Sequence, residues 1–345
     1  DKITGVARYA ADVEIPGMLH AKVLRSPHAH ARILNINTTK ANALPGVCHV
    51  ATRSDFEGMQ PVYGWLIKDQ PVLAIDKVRY VGDMIAAVAA EDEATAYRAL
   101  DLIEVEYQPL QAVPSIEASL ADDAPALFEE PQIGFVNRYG TGASAVKEPR
   151  KNVCYQFNYK TNDSDVFDGC DHIFEDSFSF SRMQHFFLEP YVAVAQWEGD
   201  QVQVWSATQS PFLNRKELSR IFQHPEEKIN INVFYVGGGF GAKTGCKTEP
   251  LAVLLARKTG RPVRLAFTTQ EQLLTNTQHA ATLILRTGVM NDGTLIARQS
   301  KILLNSGAYS DASPLVAEKV GYRIPGSYRW HHIDTRVQCV LTTQV

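Results

Sequence analysis

Nowhere in this chain is there a run of about 18 apolar residues, so no membrane-spanning helix is expected. The longest apolar stretch, MIAAVAA at 84–90, suits a buried strand or a short helix. An excess of one charge is missing too. The formal net charge is −4 with both signs interspersed, which argues against the clustered basic face of a nucleic-acid-binding protein. Cysteine is sparse and unpaired: Cys48, Cys154, Cys170, Cys246 and Cys339 are scattered with no C-x-x-C pair. That pattern supports neither a disulfide framework nor a zinc set, and it fits reduced thiols in a cytoplasmic protein. It also lacks the cysteine grouping of an iron–sulfur centre, so any such cluster belongs to a partner. There is no G-x-S-x-G elbow, and Cys246 has no nucleophile signature around it.

What is present is an ordinary globular composition, 45% apolar and 21% charged, over 345 residues. That length exceeds one ordinary core and gives two domains as the expectation. The first ~110 residues mix strand and helix signals as an α+β unit does. Strands are predicted near 18–26, 46–52 and 102–108, with an amphipathic helix over 91–103 that sets Ala96, Leu100 and Ile103 on one face. The pattern then weakens from 113 to 150, which reads as a linker rich in proline and without a period. From 151 to 345 strands return near 153–159, 173–181, 191–198, 201–207, 231–236, 262–267, 282–288 and 299–305. Helices are predicted near 215–223 and 250–260, the latter with Glu249 and Pro250 at its start and Gly260 past its end. The chain starts at Asp1 and stops at Val345 within a strand-like run, so the expectation is a fragment or a naturally split subunit.

One stretch stands out. In NVFYVGGGFGAKTGCKTEP (232–250), five glycines fall between Gly237 and Gly245. Gly237, Gly239 and Ala242 satisfy G-x-G-x-x-A, but six residues from Lys243 to Thr248 intervene before a helix can start. No acid for a ribose follows about 20 residues later, where the sequence is basic. The Walker pattern fails as well, because Ala242 stands where its second glycine belongs. A nucleotide-dependent oxidoreductase is thereby disfavoured. Two readings remain: a backbone nest able to approach an anion or an oxo group, and a turn that simply crosses another segment. Among other polar positions, His185 reads as a polar edge of a core strand and Glu189 as a structural carboxylate in need of a partner. His28 and His30, at strand spacing, fall short of a zinc set.

Several segments together resemble one family. GVARYAADVEIPGMLHAKVLRSPHAHARI (5–33), LPGV (44–47) and the run over 71–110 resemble the α/β-hammerhead domain that opens the molybdopterin-binding subunits of the xanthine dehydrogenase and aldehyde oxidase family. FFLEP (186–190), WSATQSP (205–211), VGGGFGAK (236–243) and GAY (307–309) resemble that family's molybdenum-binding domain. The resemblance covers nearly the whole chain. It implies an α+β fold with the hammerhead domain over 1–112, a linker over 113–150, and the first part of the molybdenum-cofactor-binding domain over 151–345.

It further implies a molybdenum hydroxylase acting on an aldehyde or an N-heteroaromatic compound, with oxygen taken from water. The cofactor would be molybdenum-molybdopterin, in one variant its cytosine dinucleotide form. Electrons would leave to [2Fe-2S] and FAD on partner subunits, and a complementary chain or C-terminal half would complete the site. By the match, Gly238, Gly239, Phe240 and Gly241 lie at the cofactor, with Phe240 and Gly241 offering main-chain N–H groups, and Gln209 hydrogen-bonds a metal oxygen without adding charge. No side chain ligates the metal directly. Purine-oxidising members carry a glutamate in a G-G-K-E run, whereas G-A-K-T here puts Thr244 at that substrate-side position. The family's glutamate base and substrate-side arginine belong to the later part of the subunit, so no catalytic base is assigned within these residues. The alternative is a non-catalytic cofactor-binding or assembly module of the same fold.

Overall fold

The computed structural model describes residues 1–129, 151–161 and 167–345. Its first eight strands are β1 (Leu19–Arg25), β2 (Ala31–Asn37), β3 (Val47–Ala51), β4 (Val62–Tyr63), β5 (Gln70–Pro71), β6 (Lys77–Val78), β7 (Met84–Ala90) and β8 (Glu104–Pro109). With them come helices α1 (Thr39–Asn42), α2 (Glu93–Leu100) and α3 (Ile116–Leu120). The rest contributes β9 (Val153–Lys160), β10 (His172–Phe180), β11 (Val192–Glu198), β12 (Gln201–Ser206), α4 (Pro211–Phe222), β13 (Ile229–Asn232), α5 (Glu249–Thr259) and β14 (Val263–Ala266). The chain then continues through α6 (Thr269–Leu273), β15 (Ala280–Val289), β16 (Leu295–Gly307), α7 (Ser313–Arg323) and β17 (His332–Leu341).

The main sheet draws on both sequence regions. Its order is β13-β12-β11-β14-β1-β7-β3, with β1 parallel to β14 across the join. This sheet explains the apolar run at 84–90. In β7, Ala87 and Ala89 point into the core beneath α5, while Ala86, Val88 and Ala90 point into the core beneath α2. A strand covered on both faces shows no polar alternation. The helix α5 is buried from Glu249 to Ala256, and Gly260 ends it with φ +65°, the left-handed cap that glycine takes without a Cβ penalty. Asp92 caps α2 by accepting from the Thr95 N–H at 2.7 Å.

A second sheet, in the order β10-β15-β16-β17-β9, carries α7 on one face. α7 lies close because residue 321 is glycine: a Cβ there would stand 2.4 Å from the Phe157 ring. Smaller sheets are β6-β2-β8 and β4-β5. The strand expected over 231–236 stops at Asn232, because the Tyr235 N–H turns away to the Arg8 carbonyl at 3.1 Å. Within the stretch expected to be a linker, Val113, Ala124 and Leu127 are buried in the second sheet's core; residues 130–150 lie outside the described residues.

Two buried carboxyl groups join the regions. Asp69 accepts from the Ser310 N–H at 2.7 Å, and Asp83 accepts from the Tyr309 hydroxyl at 2.8 Å. Burial pushes Asp69 up to about 7 and Asp83 up to about 6, against the backbone and hydroxyl donors that favour the charged form. An unfolded aspartate ionises near 4. The stability that neutral Asp69 lends is therefore complete below pH 4 and lost as pH rises through 7, about 2–3 kcal/mol of it between pH 5 and 8. Thermal melts at those two pH values are expected to show this loss, with a flatter slope in Asp69→Asn. An Asp69→Asn slope equal to wild type would show that Asp69 does not carry the pH dependence.

Candidate cofactor site at the glycine turn

The glycine turn is pinned at both ends. At its entry, Glu189 Oε2 accepts from the Gly237 N–H at 2.7 Å and from Lys243 Nζ at 3.0 Å. The Lys243 side chain is fully buried, with its ammonium 4.6 Å from the centre of the Phe187 ring. Desolvation lowers the Lys243 pKa, and the Glu189 partner opposes that shift. At the exit, the buried Glu249 accepts from Ser206 Oγ at 2.5 Å, Asn214 Nδ2 at 2.9 Å and the Lys247 N–H at 2.8 Å. Glu189 was thus legible as a structural carboxylate, and its partner is Lys243. In the sequence that lysine drew notice only as the end of the glycine-rich run; its role follows from burial, which single-residue spacing does not report.

Between these pins the structure brings together all of the residues expected at the cofactor. Gln209 reaches the turn from the segment between β12 and α4, its main-chain N–H bonded to the Lys243 carbonyl at 2.8 Å. Its Oε1 accepts from the Gly241 N–H at 3.1 Å, so this N–H, expected to face the cofactor, is instead taken within the protein, while the amide NH₂ is left to donate elsewhere. Gly239 is glycine because of Gln209: a Cβ there would lie 2.4 Å from Gln209 Oε1. Gly238 and Gly241 have φ of +90° and +97°, and Phe240 sits at +51° with its ring exposed. Among the described residues, no protein acceptor takes the N–H groups of Gly238, Gly239 or Phe240. Successive unpaired N–H groups on a turn of this kind form an anion-binding concavity.

Thr244, on the same turn, lines a cavity of about 350 Å³ together with Phe240, Gly241, His185, His279 and Asp311. The structure takes His185 off the strand edge expected for it and puts it in this wall, its Nδ1 buried without a protein partner. Burial lowers the pKa of His185, with Lys247 adding to the shift, and burial likewise lowers that of His279. His279 Nε2 lies 2.8 Å from Ser313 Oγ, and the Asp311 carboxylate is paired with Lys247 at 3.1 Å. His279, Asp311 and Lys247 were missed from the sequence, because the fold alone brings these separated segments together. His28 and His30 do not join the wall: His28 packs edge-on to Tyr107, and His30 Nδ1 meets the Gln111 carbonyl at 2.7 Å. Among the described residues there is no group of three metal-ligating side chains, and no helix long and apolar enough to cross a membrane.

Residues 146–345 match the model of the molybdopterin cofactor-binding domain, and residues 4–111 match that of the aldehyde oxidase and xanthine dehydrogenase a/b hammerhead domain. A probable xanthine dehydrogenase subunit from Bacillus subtilis is 37% identical over 99% of this chain, which spans 43% of that relative's length. The nicotinate dehydrogenase large molybdopterin subunit of Eubacterium barkeri is 32% identical over 95% of this chain, and there the chain spans 73% of the relative. Among solved structures, the reconstituted CO dehydrogenase of Oligotropha carboxidovorans superposes with a TM-score of 0.89 at 30% identity, over 100% of this chain and 43% of that one. A mixed α/β chain with a hammerhead unit, a pinned glycine turn facing Gln209 and these matches belongs to the xanthine dehydrogenase family of molybdopterin-binding subunits.

Proposed function

We propose that this chain is one part of a molybdenum hydroxylase that oxidises an aldehyde or an N-heteroaromatic compound, RH + H₂O → ROH + 2e⁻ + 2H⁺. The observation that carries the reading is Gln209 held against Gly239 and Gly241 beside three unpaired main-chain N–H groups, at the edge of a cavity. These residues fit a molybdopterin group: the unpaired donors are neutral, and no Cβ at Gly239 or Gly241 obstructs an approach. When bound, that group would supply the redox-active centre at which water-derived oxygen meets carbon.

The chain's own residues supply binding and orientation. Gln209 and the N–H groups of Gly239 and Phe240 would donate to oxygens of a bound cofactor without adding charge. Glu189 and Lys243 keep the turn in that conformation. Thr244 offers an uncharged hydroxyl to the substrate side, and His185 and His279 are held toward their neutral forms. With Asp311 paired to Lys247, no lining side chain among the described residues is a free anion, which suits a neutral or carboxylate-bearing substrate better than a cation. The similarity to a nicotinate dehydrogenase large chain supports the N-heteroaromatic option. The two electrons would leave to [2Fe-2S] and FAD carried by partner subunits.

Gln209→Ala is expected to fold, to keep its molybdenum, and to lose about 10- to 100-fold in turnover, the range for outer-shell partners of metal sites. Metal content, circular dichroism and kcat on the same preparation check this. Full metal occupancy with unchanged kcat would remove Gln209 from the site.

A further inference from the structure

One wall of the cavity is held from the other sequence region. Asp311, which lines it, stands in the turn between β16 and α7 at φ +36°, in the left-handed region that residues other than glycine seldom take. Such a conformation is costly and persists only where its surroundings over-determine it. On one side the Asp311 carboxylate is paired with Lys247 at 3.1 Å, and the Lys247 N–H is bonded to Glu249 at the exit of the glycine turn. On the other side the hold comes from the first region. The Ser310 N–H donates to Asp69 Oδ2 at 2.7 Å, and the Tyr309 hydroxyl donates to Asp83 Oδ2 at 2.8 Å. Both members of the Ser310–Asp69 bond are buried, so water cannot replace either partner. Asp69 is itself fixed. It lies just before β5, and its neighbour Lys68 donates to the Gly64 carbonyl and pairs with Glu217 of α4, each at 2.5 Å. Gly64 permits this tight loop, since a Cβ there would lie 2.0 Å from the Ile67 carbonyl oxygen.

We infer that Asp69 is a positioning residue for the candidate site: through the Ser310 N–H it holds Asp311 against Lys247, and so sets the substrate-binding shape of the cavity from the first region. Asp69 touches neither substrate nor cofactor in this account; it acts through the 310–311 turn. Without its oxygen the Ser310 N–H is left buried and unpaired, and the left-handed residue beside it loses one of the contacts that keep it there. Asp311 then leaves Lys247, and the wall next to Thr244 and His279 changes both shape and charge. The inference rests on the hydroxylase reading for what the cavity binds; the hold on the turn stands apart from it.

The test uses the native complex with Asp69→Asn, which keeps an oxygen acceptor, and with Asp69→Ala, which removes it. Amide hydrogen exchange is read on peptides over 307–313, with peptides over β7 as reference. Asp69→Ala is expected to speed exchange over 307–313 at least about tenfold and to leave β7 unchanged, while Asp69→Asn stays near wild type, because a turn can open locally. Nicotinate and benzaldehyde serve as probes of the two substrate classes. With the probe that is oxidised, KM is expected to rise about three- to tenfold in Asp69→Ala at a nearly constant kcat, the signature of lost uniform binding. Asp311→Ala is expected to raise KM as well, and adding Asp69→Ala to it to have no further effect, since the two act in series. An unchanged KM, an effect that persists in the Asp311→Ala background, or exchange that rises equally in β7 overturns the proposal. Where Asp69→Ala does not assemble, the wild-type complex decides: protection over 307–313 supports the hold, and exchange as fast as in the exposed hairpin at 291–293 overturns it. A molybdenum-loaded wild type that oxidises neither probe, with faster exchange over 307–313 in Asp69→Ala, contradicts the hydroxylase reading and sustains the hold on the turn.

Discussion

A valine at position 239 is expected to leave the chain folded and to strip it of molybdenum. The backbone of Gly239 is outside the left-handed region, so a side chain there brings no φ strain. Its effect comes from space alone. A Cβ would lie 2.4 Å from Gln209 Oε1 and 2.7 Å from Gln209 Cδ, and the branched methyls would extend farther. Gln209 would have to swing away, giving up its bond to the Gly241 N–H, and the valine side chain would itself fill the space over the turn that a cofactor needs, an obstruction that Gln209→Ala does not introduce. Overpacking of this kind costs about 1–3 kcal/mol, well inside the roughly 5–15 kcal/mol of a typical domain. The expected result is a molybdenum content at least about tenfold below wild type, in a protein whose near-ultraviolet dichroism is unchanged. Normal molybdenum in Gly239→Val would show that the cofactor does not approach the turn at this residue.

Glu189→Ala is expected to be the most destabilising single change near the site. It strands the Lys243 ammonium, whose side chain has no solvent exposure, and removes the acceptor of the Gly237 N–H. Removing one member of a buried pair costs about 3–5 kcal/mol, because the other charge stays buried and uncompensated. The Phe187 ring offsets only part of that. Lys243→Met in the same chain removes the stranded charge, so the double variant is expected to recover most of the loss, as replacement of buried pairs by apolar groups often does. Urea midpoints for the two single variants and the double variant decide the matter. A Glu189→Ala protein within about 1 kcal/mol of wild type would mean that solvent or rearrangement compensates Lys243 and that the pair does not hold the turn.

Which features were legible from the sequence follows from how local their causes are. The helix α5 was readable because its start and stop signals, Pro250 in its first turn and Gly260 just past its end, are local to it. β7 was readable as a buried apolar segment, but its choice of strand over helix was not. That choice depends on cores above and below it, built by α5 and α2. The helix α7 was not foreseen; Gly321 weakens its local pattern, and the reason for that glycine, contact with Phe157, lies more than 160 residues away. The joining of both regions in one seven-stranded sheet was invisible for the same reason, since β1 meets β14 across some 240 residues.

The site divides in the same manner. The glycine cluster announced a close backbone approach on its own, and the resemblance to a known family supplied Gln209 as the residue approached. The cavity wall from His185, His279 and Asp311, and the latch of Glu189 on Lys243, are products of folding. Their residue types, taken singly, are commonplace in any core or surface.

The most direct test of the central claim is the molybdenum and pterin content of the wild-type protein, purified natively together with the chains that accompany it and set against the intact mass of each. About one molybdenum and one pterin per copy of this chain is the result expected of a turn built to receive that cofactor. A folded, fully assembled protein with neither would contradict the assignment of Gln209 and Gly238–Gly241 to a molybdenum site.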